Sequence, residues 1–152
     1  MKTYLVTLTR DPYATCSSWN QRYGYERILK IWDPTGRDFV SNEEDYYFFL
    51  GKIWLDRARM LLDARKDSCL DLSYEEFCDN PGIVAERMAS VVPCLSDINA
   101  HAEIRVKDYE VQKIVNMNER QAGLLTDVQR EAISKALCAD RKTVESLGYV
   151  IL

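Results

Sequence analysis

An arginine and two serines near the start of the chain are the residue types best suited to bind an anion. They lie in YLVTLTRDPYATCSSW, residues 4–19, where Arg10 follows an apolar run and precedes Asp11-Pro12. Arginine presents a planar, permanently charged fork of N–H donors that matches phosphate oxygens. Ser17 and Ser18 stand about two helical turns further on, where their hydroxyls can donate to an anion on the flank of the helix. This spacing predicts half of an anion-binding site.

The backbone around Arg10 is expected to contribute to the same site. Residues 3–9, TYLVTLT, are rich in β-branched and aromatic residues and predict a strand. Asp11 is a good N-cap and Pro12 a good first residue for a helix that runs to about Tyr23-Gly24. In open α/β folds ligands bind beyond the carboxyl ends of strands, and amides at helix N-termini bind phosphate. The simpler alternative is a surface ion pair between Arg10 and Asp11, with the serines as ordinary helix-face residues.

The rest of the chain predicts mostly helices and one further strand. The second strand is SCLDLSY at residues 68–74, and DPTGRD at 33–38 predicts a turn. Helices are expected from Ser41 or Asn42 to about Lys66, from Asn80-Pro81, after Thr126, and in a last short segment that ends at Gly148. Two strands separated by long helical segments predict an α/β fold with few parallel strands and a right-handed crossover. Because two strands make a small sheet, we expect its edge to pair with something else.

Length and charge limit the classes of function. The chain of 152 residues is the size of one domain, and its net charge of -4 with a pI near 5.1 argues against nucleic-acid binding. No apolar run is long enough to span a bilayer, so neither a membrane span nor a signal peptide is expected. The five cysteines form no CxxC or Cys/His cluster, which predicts reduced thiols in a cytoplasmic protein and no metal site.

Other reactive or aromatic side chains have simple structural explanations. Histidine has an intrinsic pKa suited to a general base, but His101 lies in the least readable segment, and a surface or packing role is expected. Aromatic residues at helical spacing are expected in the core rather than in an acceptor pocket. The residues concerned are Trp32, Tyr46, Tyr47, Phe48 and Trp54.

Three segments, in this order along the chain, carry a family resemblance. They are LTRDPYATCSSW (8–19), LDLSYEEFCDNPGIVAERMASVV (70–92) and IVNMNERQAGLLTDVQREAISKAL (114–137), the last followed by Leu-Gly-Tyr at 147–149. They resemble the sulfotransferases that use 3'-phosphoadenosine 5'-phosphosulfate (PAPS) as donor. That family has Arg-Asp-Pro with a serine eight positions after the arginine, Tyr-Glu-Asp-Leu before an Asn/Asp-Pro helix, and a Leu-Thr-x-x-Gln helix start. Glu76 and Phe77 stand where the family has aspartate and leucine.

The resemblance implies a partial P-loop-type, sulfotransferase-like fold with PAPS, or its product 3',5'-adenosine bisphosphate (PAP), as cofactor. It assigns Arg10 and Ser18 to the 3'-phosphate, with Ser17 as a neighbouring hydroxyl, and Tyr74 to the adenine. Arg120, with Lys113, stands in for the family's late basic Arg-Lys-Gly element. The implied reaction is transfer of a sulfuryl group to a hydroxyl or amine acceptor.

The chain departs from the family pattern ahead of Arg10. There the family has a strand, a phosphosulfate loop with glycine and lysine, and the catalytic histidine or glutamate, whereas this sequence has no GxxxxGK[ST] pattern. We therefore expect a single sulfotransferase-like domain over residues 1–152 that is incomplete at its N-terminus, has no assigned catalytic residue and is inactive alone. The alternative is a non-catalytic interaction protein that keeps the scaffold and pairs with itself or with a second chain. In a third interpretation the site residues are only structural.

Overall fold

Two compact units make up the chain. The computed structural model describes residues 3–32, 38–99, 103 and 113–152. One unit, here called the strand unit, consists of Met1–Thr9 with Asp63–Asn116, and the other, the helical unit, consists of Arg10–Leu62 with Met117–Leu152. The expectation of one domain over the whole chain stays a prediction.

Helices predominate, and the strands are short. In chain order the elements are β1 (Val6–Thr9), α1 (Pro12–Arg27), α2 (Glu43–Ala64), β2 (Leu70–Ser73), α3 (Tyr74–Asp79), α4 (Pro81–Val91), α5 (Asn118–Ala122), α6 (Asp127–Leu137) and α7 (Arg141–Ser146). A π-helical segment at Ile28–Trp32 follows α1, and short 3-10 turns occupy Pro93–Leu95 and Cys138–Asp140. The coarse α/β class is therefore confirmed.

The strand unit contains a two-stranded parallel sheet. β1 pairs with β2 so that Val6 lies opposite Leu70 and Thr9 lies opposite Ser73. Since side chains alternate along a strand, one face of the sheet carries valine and leucines and the other carries threonines, aspartate and serine. Both predicted strands are present, each shorter than the sequence pattern indicated.

Polar side chains hold the hydrophilic face of this sheet together. Thr7 and Ser68 both donate hydrogen bonds to Oδ1 of Asp71, and Nε of Arg65 lies 3.8 Å from its Oδ2. Burial opposes the charge on Asp71, but the hydrogen bonds and the nearby arginine outweigh it and lower the pKa of this carboxyl. From α4, Nη2 of Arg87 donates to the main-chain oxygen of Asp71 at 3.2 Å.

Several helices begin where the sequence places a capping residue. The α1 helix starts at Pro12 after Asp11, and its predicted end at Gly24 is a kink, where Gly24 has φ of 69° before the helix continues to Arg27. The α6 helix has a capping box in which Thr126 accepts from the amide of Gln129 while the Gln129 side chain accepts from the amide of Thr126. These starts are local signals, which is why the sequence pattern predicts them well.

The core of the helical unit is formed by α1, α2, α6 and α7 with the segments beside them. Tyr46, Tyr47 and Trp54 are buried and Phe48 packs against the core, which confirms the structural role expected for these aromatic residues. The side chain of Trp32, residues 33–37 of the turn predicted at 33–38, and His101 lie outside the described residues. In the described part of the chain, no helix combines the length and the apolar character needed to cross a bilayer.

Candidate anion-binding site

A two-residue connection leads from β1 into α1 and contains Arg10. Asp11 caps the helix, because its Oδ1 accepts a hydrogen bond from the amide of Ala14 at 2.7 Å. The hydroxyl of Thr15 donates to the main-chain oxygen of Asp11 at 2.6 Å. The main-chain oxygen of Arg10 accepts from Nε1 of Trp54 at 3.1 Å. The backbone at Arg10 is therefore anchored to a buried tryptophan and to the first turn of α1.

The guanidinium of Arg10 is oriented by α5. Its Nε donates to Oδ1 of Asn118 at 2.8 Å, and Nη2 donates to Oε1 of Gln121. Asn118 and Gln121 are three positions apart on the helix and therefore share one face. Both acceptors are neutral amide oxygens, so these two bonds fix the direction of the fork without neutralising its positive charge.

The two predicted serines have different surroundings on α1. Ser17 is buried, and its hydroxyl accepts from Nε2 of Gln21 at 3.2 Å. Ser18 is half-buried, so it is the more accessible of the two to a ligand. Ser17 is therefore not accessible to a ligand in this structure.

Arg120 is exposed on the same short helix that holds Arg10. Arg120 lies two positions after Asn118 and one before Gln121. At this spacing it is on a different face of α5 from the one that contacts Arg10. Lys113, the other predicted basic residue, is exposed and belongs to the strand unit. Of the predicted basic residues, Arg120 thus shares a helix with the partners of Arg10.

The start of α1 offers an incoming anion fewer donors than the sequence pattern indicated. Pro12 has no N–H, and the amide of Ala14 already donates to the carboxylate of Asp11. The capping carboxylate also adds a negative charge at this end of the helix. The guanidinium of Arg10 is therefore better suited to an anion here than the helix amides are.

Tyr74, assigned to the adenine by the resemblance, lies in the strand unit. It begins α3 directly after Ser73, whose hydroxyl caps that helix by accepting from the amide of Glu76 at 3.0 Å. The Tyr74 hydroxyl donates to the main-chain oxygen of Val115 at 3.2 Å, and the residue is half-buried. Glu76, which stands where the family has aspartate, forms an ion pair with Arg87 of α4.

A cleft of about 380 Å³ lies next to the contact between Arg10 and α5. Its walls are the start of α1, the α5 helix and the segment after α7. The lining residues are Asp11, Tyr13, Asn118, Glu119, Ala122, Gly148, Tyr149, Val150 and Leu152. Arg10 is not among them, but it donates to Asn118, which does line the cleft.

Comparison of the chain with protein-family models, with curated proteins and with solved structures finds no match. The family resemblance therefore depends on the quoted motifs alone.

Sequence analysis did not identify the residues that orient Arg10. Asn118 and Gln121 are 108 and 111 positions away from it, inside a segment with little periodic pattern. The only local signal is the spacing of two amide side chains three positions apart in NERQ, which fits one face of a helix. That spacing gives no indication that Arg10 is the residue which these two amides contact.

Proposed function

We propose that this chain is the nucleotide-binding part of a sulfotransferase-like protein of the P-loop type and binds the 3'-phosphate of PAPS or PAP through Arg10 and Ser18. One observation carries the proposal: the guanidinium that follows β1 is oriented by two neutral amide oxygens from α5. A guanidinium is the planar cation that best suits two oxygens of one phosphate group. The half-buried Ser18 supplies a hydroxyl from the same unit.

The element order supports the proposal. A strand leads through Arg-Asp-Pro into α1, and a second strand parallel to the first leads into two helices, as the resemblance implies. The 152 residues contain no GxxxxGK[ST] pattern, so the proposal covers binding of the nucleotide by this chain and assigns no catalytic residue. Sulfuryl transfer to a hydroxyl or amine would need further groups around the 5'-phosphosulfate.

Calorimetric titration with PAP tests the proposal. We expect Arg10→Ala to weaken binding by about tenfold or more, since hydrogen bonds to charged groups are worth about 1.5–3 kcal/mol. Arg10→Lys keeps the charge but loses the fork, and it is expected to weaken binding while retaining the fold. Adenosine 5'-monophosphate, which lacks the 3'-phosphate, should bind the unmodified chain weakly.

Arg141→Ala provides the matched control, because Arg141 is an exposed arginine on α7 of the same unit. It should leave PAP affinity unchanged. Equal affinities of PAP and adenosine 5'-monophosphate, or an unchanged affinity in both Arg10 variants, would contradict the proposal.

The other predicted binding residues are ranked by the same titration. We expect Ser18→Ala to weaken PAP binding more than Ser17→Ala, because Ser17 is buried. Arg120→Ala should have a smaller effect than Arg10→Ala, since an exposed charge contributes weakly. The adenine contact of Tyr74 remains a prediction, which a loss of PAP affinity in Tyr74→Ala would support.

A second candidate function is self-association through β1. Leu8 is 53% exposed on this strand and Leu5 just before it is 42% exposed, although parallel sheets normally have both faces covered. In the described residues the sheet has two strands, so each strand pairs with one other strand. The stretch at residues 4–9 has no charged side chain, so two copies can align it without repulsion between like charges. A second copy of the chain is therefore the partner that this strand fits best.

Sedimentation analysis of the intact chain distinguishes this candidate. A dimer is expected that Leu8→Lys dissociates, because a lysine on an edge strand opposes pairing. Val128→Lys is the control, since Val128 is 56% exposed on α6 of the helical unit. A monomer at all concentrations, or a dimer unaffected by Leu8→Lys, would exclude pairing through β1.

A further inference from the structure

One edge of the Arg10 guanidinium is occupied by the short helix α5. Nε and Nη2 lie on the same edge of this planar group, where Nε donates to Oδ1 of Asn118 at 2.8 Å and Nη2 donates to Oε1 of Gln121. Arginine uses such pairs of N–H donors to bind two oxygens of one phosphate. Because Nε has a single N–H, a phosphate that binds this edge has to replace Asn118.

The α5 helix depends on contacts with its neighbours for its position. It contains five residues, none of them is buried, and its N-cap residue Met117 makes no side-chain capping bond. A helix of this length is not stable by itself. At its last residue, the main-chain oxygen of Ala122 accepts from Nη2 of Arg130 at 3.1 Å. Loss of the bonds to Arg10 should therefore loosen the first turn of α5 while its last residue stays attached.

A phosphate is the stronger acceptor for this edge of Arg10. The amide oxygens of Asn118 and Gln121 are neutral, whereas phosphate oxygens are negatively charged, so Coulomb attraction adds to their hydrogen bonds with a guanidinium. The exchange also costs the protein the two bonds between Arg10 and α5. The measured affinity for a phosphate is therefore lower than that of an Arg10 which α5 has released.

We propose that α5 is an autoinhibitory element that competes with the nucleotide for Arg10. The 3'-phosphate takes the edge formed by Nε and Nη2 and displaces the first turn of α5. This inference rests on the proposed binding of PAPS or PAP at Arg10 and adds the regulation of that site. If Asn118 and Gln121 only positioned Arg10, their removal would weaken binding, so the sign of the effect distinguishes competition from positioning.

Calorimetric titration with PAP measures that sign in two variants. Asn118→Leu and Gln121→Met keep the approximate size of the side chain and remove the oxygen that accepts from Arg10. Each is expected to tighten PAP binding about three- to tenfold, the magnitude of one hydrogen bond. Asn80→Leu is the matched control, since Asn80 is exposed in the strand unit and its side chain does not cap α4. It should leave the affinity unchanged.

Hydrogen exchange of the Gln121 amide follows α5 directly, because this amide donates to the main-chain oxygen of Met117 at 2.9 Å. Without nucleotide, Arg10→Ala should speed this exchange about threefold or more, the effect of losing at least one hydrogen bond. Saturating PAP should speed it in the unmodified chain. The Arg130 amide, which donates to the main-chain oxygen of Thr126 at the start of α6, is the internal control and should exchange at an unchanged rate.

Failures of the two proposals are distinguishable. PAP binding that depends on Arg10 but is unchanged or weaker in both Asn118→Leu and Gln121→Met would overturn the competition and leave the proposed function intact. Slower exchange of the Gln121 amide with PAP would do the same. Unchanged exchange in Arg10→Ala would show that Arg10 does not hold α5, whether or not PAP binds. Absence of PAP binding in the unmodified chain and in both variants would overturn both proposals.

Discussion

At the scale of single residues, burial decides which side chains of this protein can ionise or react. Burial raises the pKa of the Cys16 thiol above its ordinary value of 9.0, and the negative charge of Asp11 adds to the shift. Burial likewise raises the pKa values of Tyr46 and Tyr47. Both hydroxyls form hydrogen bonds with the side-chain amide of Asn20, at 3.2 Å and 3.1 Å. These groups are therefore uncharged in the folded protein near neutral pH.

Thiol alkylation should separate the five cysteines into two groups. All are free thiols, of which Cys69, Cys94 and Cys138 are exposed, while Cys16 and Cys78 are buried. Because the thiolate is the reactive form, we expect iodoacetamide at pH 8 to modify the three exposed residues first. Mass spectrometry of the digested protein measures the order, and early modification of Cys16 would contradict the burial described above.

Alkaline pH should destabilise the protein through Cys16 and Tyr46. Their folded-state pKa values are raised above the ordinary 9.0 and 10.0, so the folded chain keeps protons that the unfolded chain releases. The stabilisation is complete below about pH 9 and is lost as the pH rises toward the folded-state values. Above its ordinary pKa, which is 9.0 for Cys16 and 10.0 for Tyr46, each group lowers the free energy of unfolding by about 1.4 kcal/mol per pH unit. Urea denaturation between pH 8 and pH 11 measures this slope. We expect Tyr46→Phe to reduce it. The same slope in the variant and the unmodified chain would show that Tyr46 is not responsible.

At the scale of elements, a glycine allows α2 and α6 to approach closely. A Cβ on Gly51 would lie 2.8 Å from the Cβ of Ala136 and 3.1 Å from the main-chain oxygen of Ile133. Neither atom is the end of a flexible side chain, so an added methyl group has to push the two helices apart. The sequence shows only a glycine in a helical stretch, and the packing explains why it is there.

Gly51→Ala is therefore expected to destabilise the protein. Alanine improves helix propensity by about 1 kcal/mol, but overpacking costs about 1–3 kcal/mol, and contact with main-chain atoms places this site near the upper end. We expect a net loss of about 1–2 kcal/mol in the free energy of unfolding, measured by urea denaturation.

A double-mutant cycle with Ala136→Gly tests the cause. The two substitutions together should destabilise less than the sum of the single effects, because the glycine at 136 removes the Cβ that the new methyl group meets. Simple additivity would mean that the helix contact is not the reason for the glycine.

At the scale of the whole molecule, the two units differ in how much apolar core they contain. The buried core cluster of the described residues lies entirely in the helical unit. In the strand unit the buried apolar residues that the structure describes are Leu72, Cys78, Val84 and Val92. Since buried apolar area is the main favourable contribution to folding, the helical unit should be the more stable.

Cysteine labelling in urea reports on the units separately, because Cys78 lies in the strand unit and Cys16 in the helical unit. We expect Cys78 to become reactive at a lower urea concentration than Cys16. A common midpoint for both thiols would indicate that the units unfold as one.

How much of the fold could be predicted depends on whether the signal is local. The helix starts at Asp11-Pro12 and at Thr126–Gln129 were predicted correctly, because a cap and its partner lie within one turn. Both strands were also found, and their parallel pairing followed from the long helical connection. The α5 helix was not predicted, because its five residues are too few for a periodic pattern.

Sequence alone determined the element types, most of their starts and the residue with the right chemistry for an anion, Arg10. Tertiary structure decided what that chemistry can do. It joined Arg10 to Asn118 and Gln121, buried Ser17, and formed a cleft from residues at 11, at 119 and after 147. The physical reason is that propensity and capping act within a few residues, whereas burial and charge environment depend on contacts between segments more than a hundred positions apart.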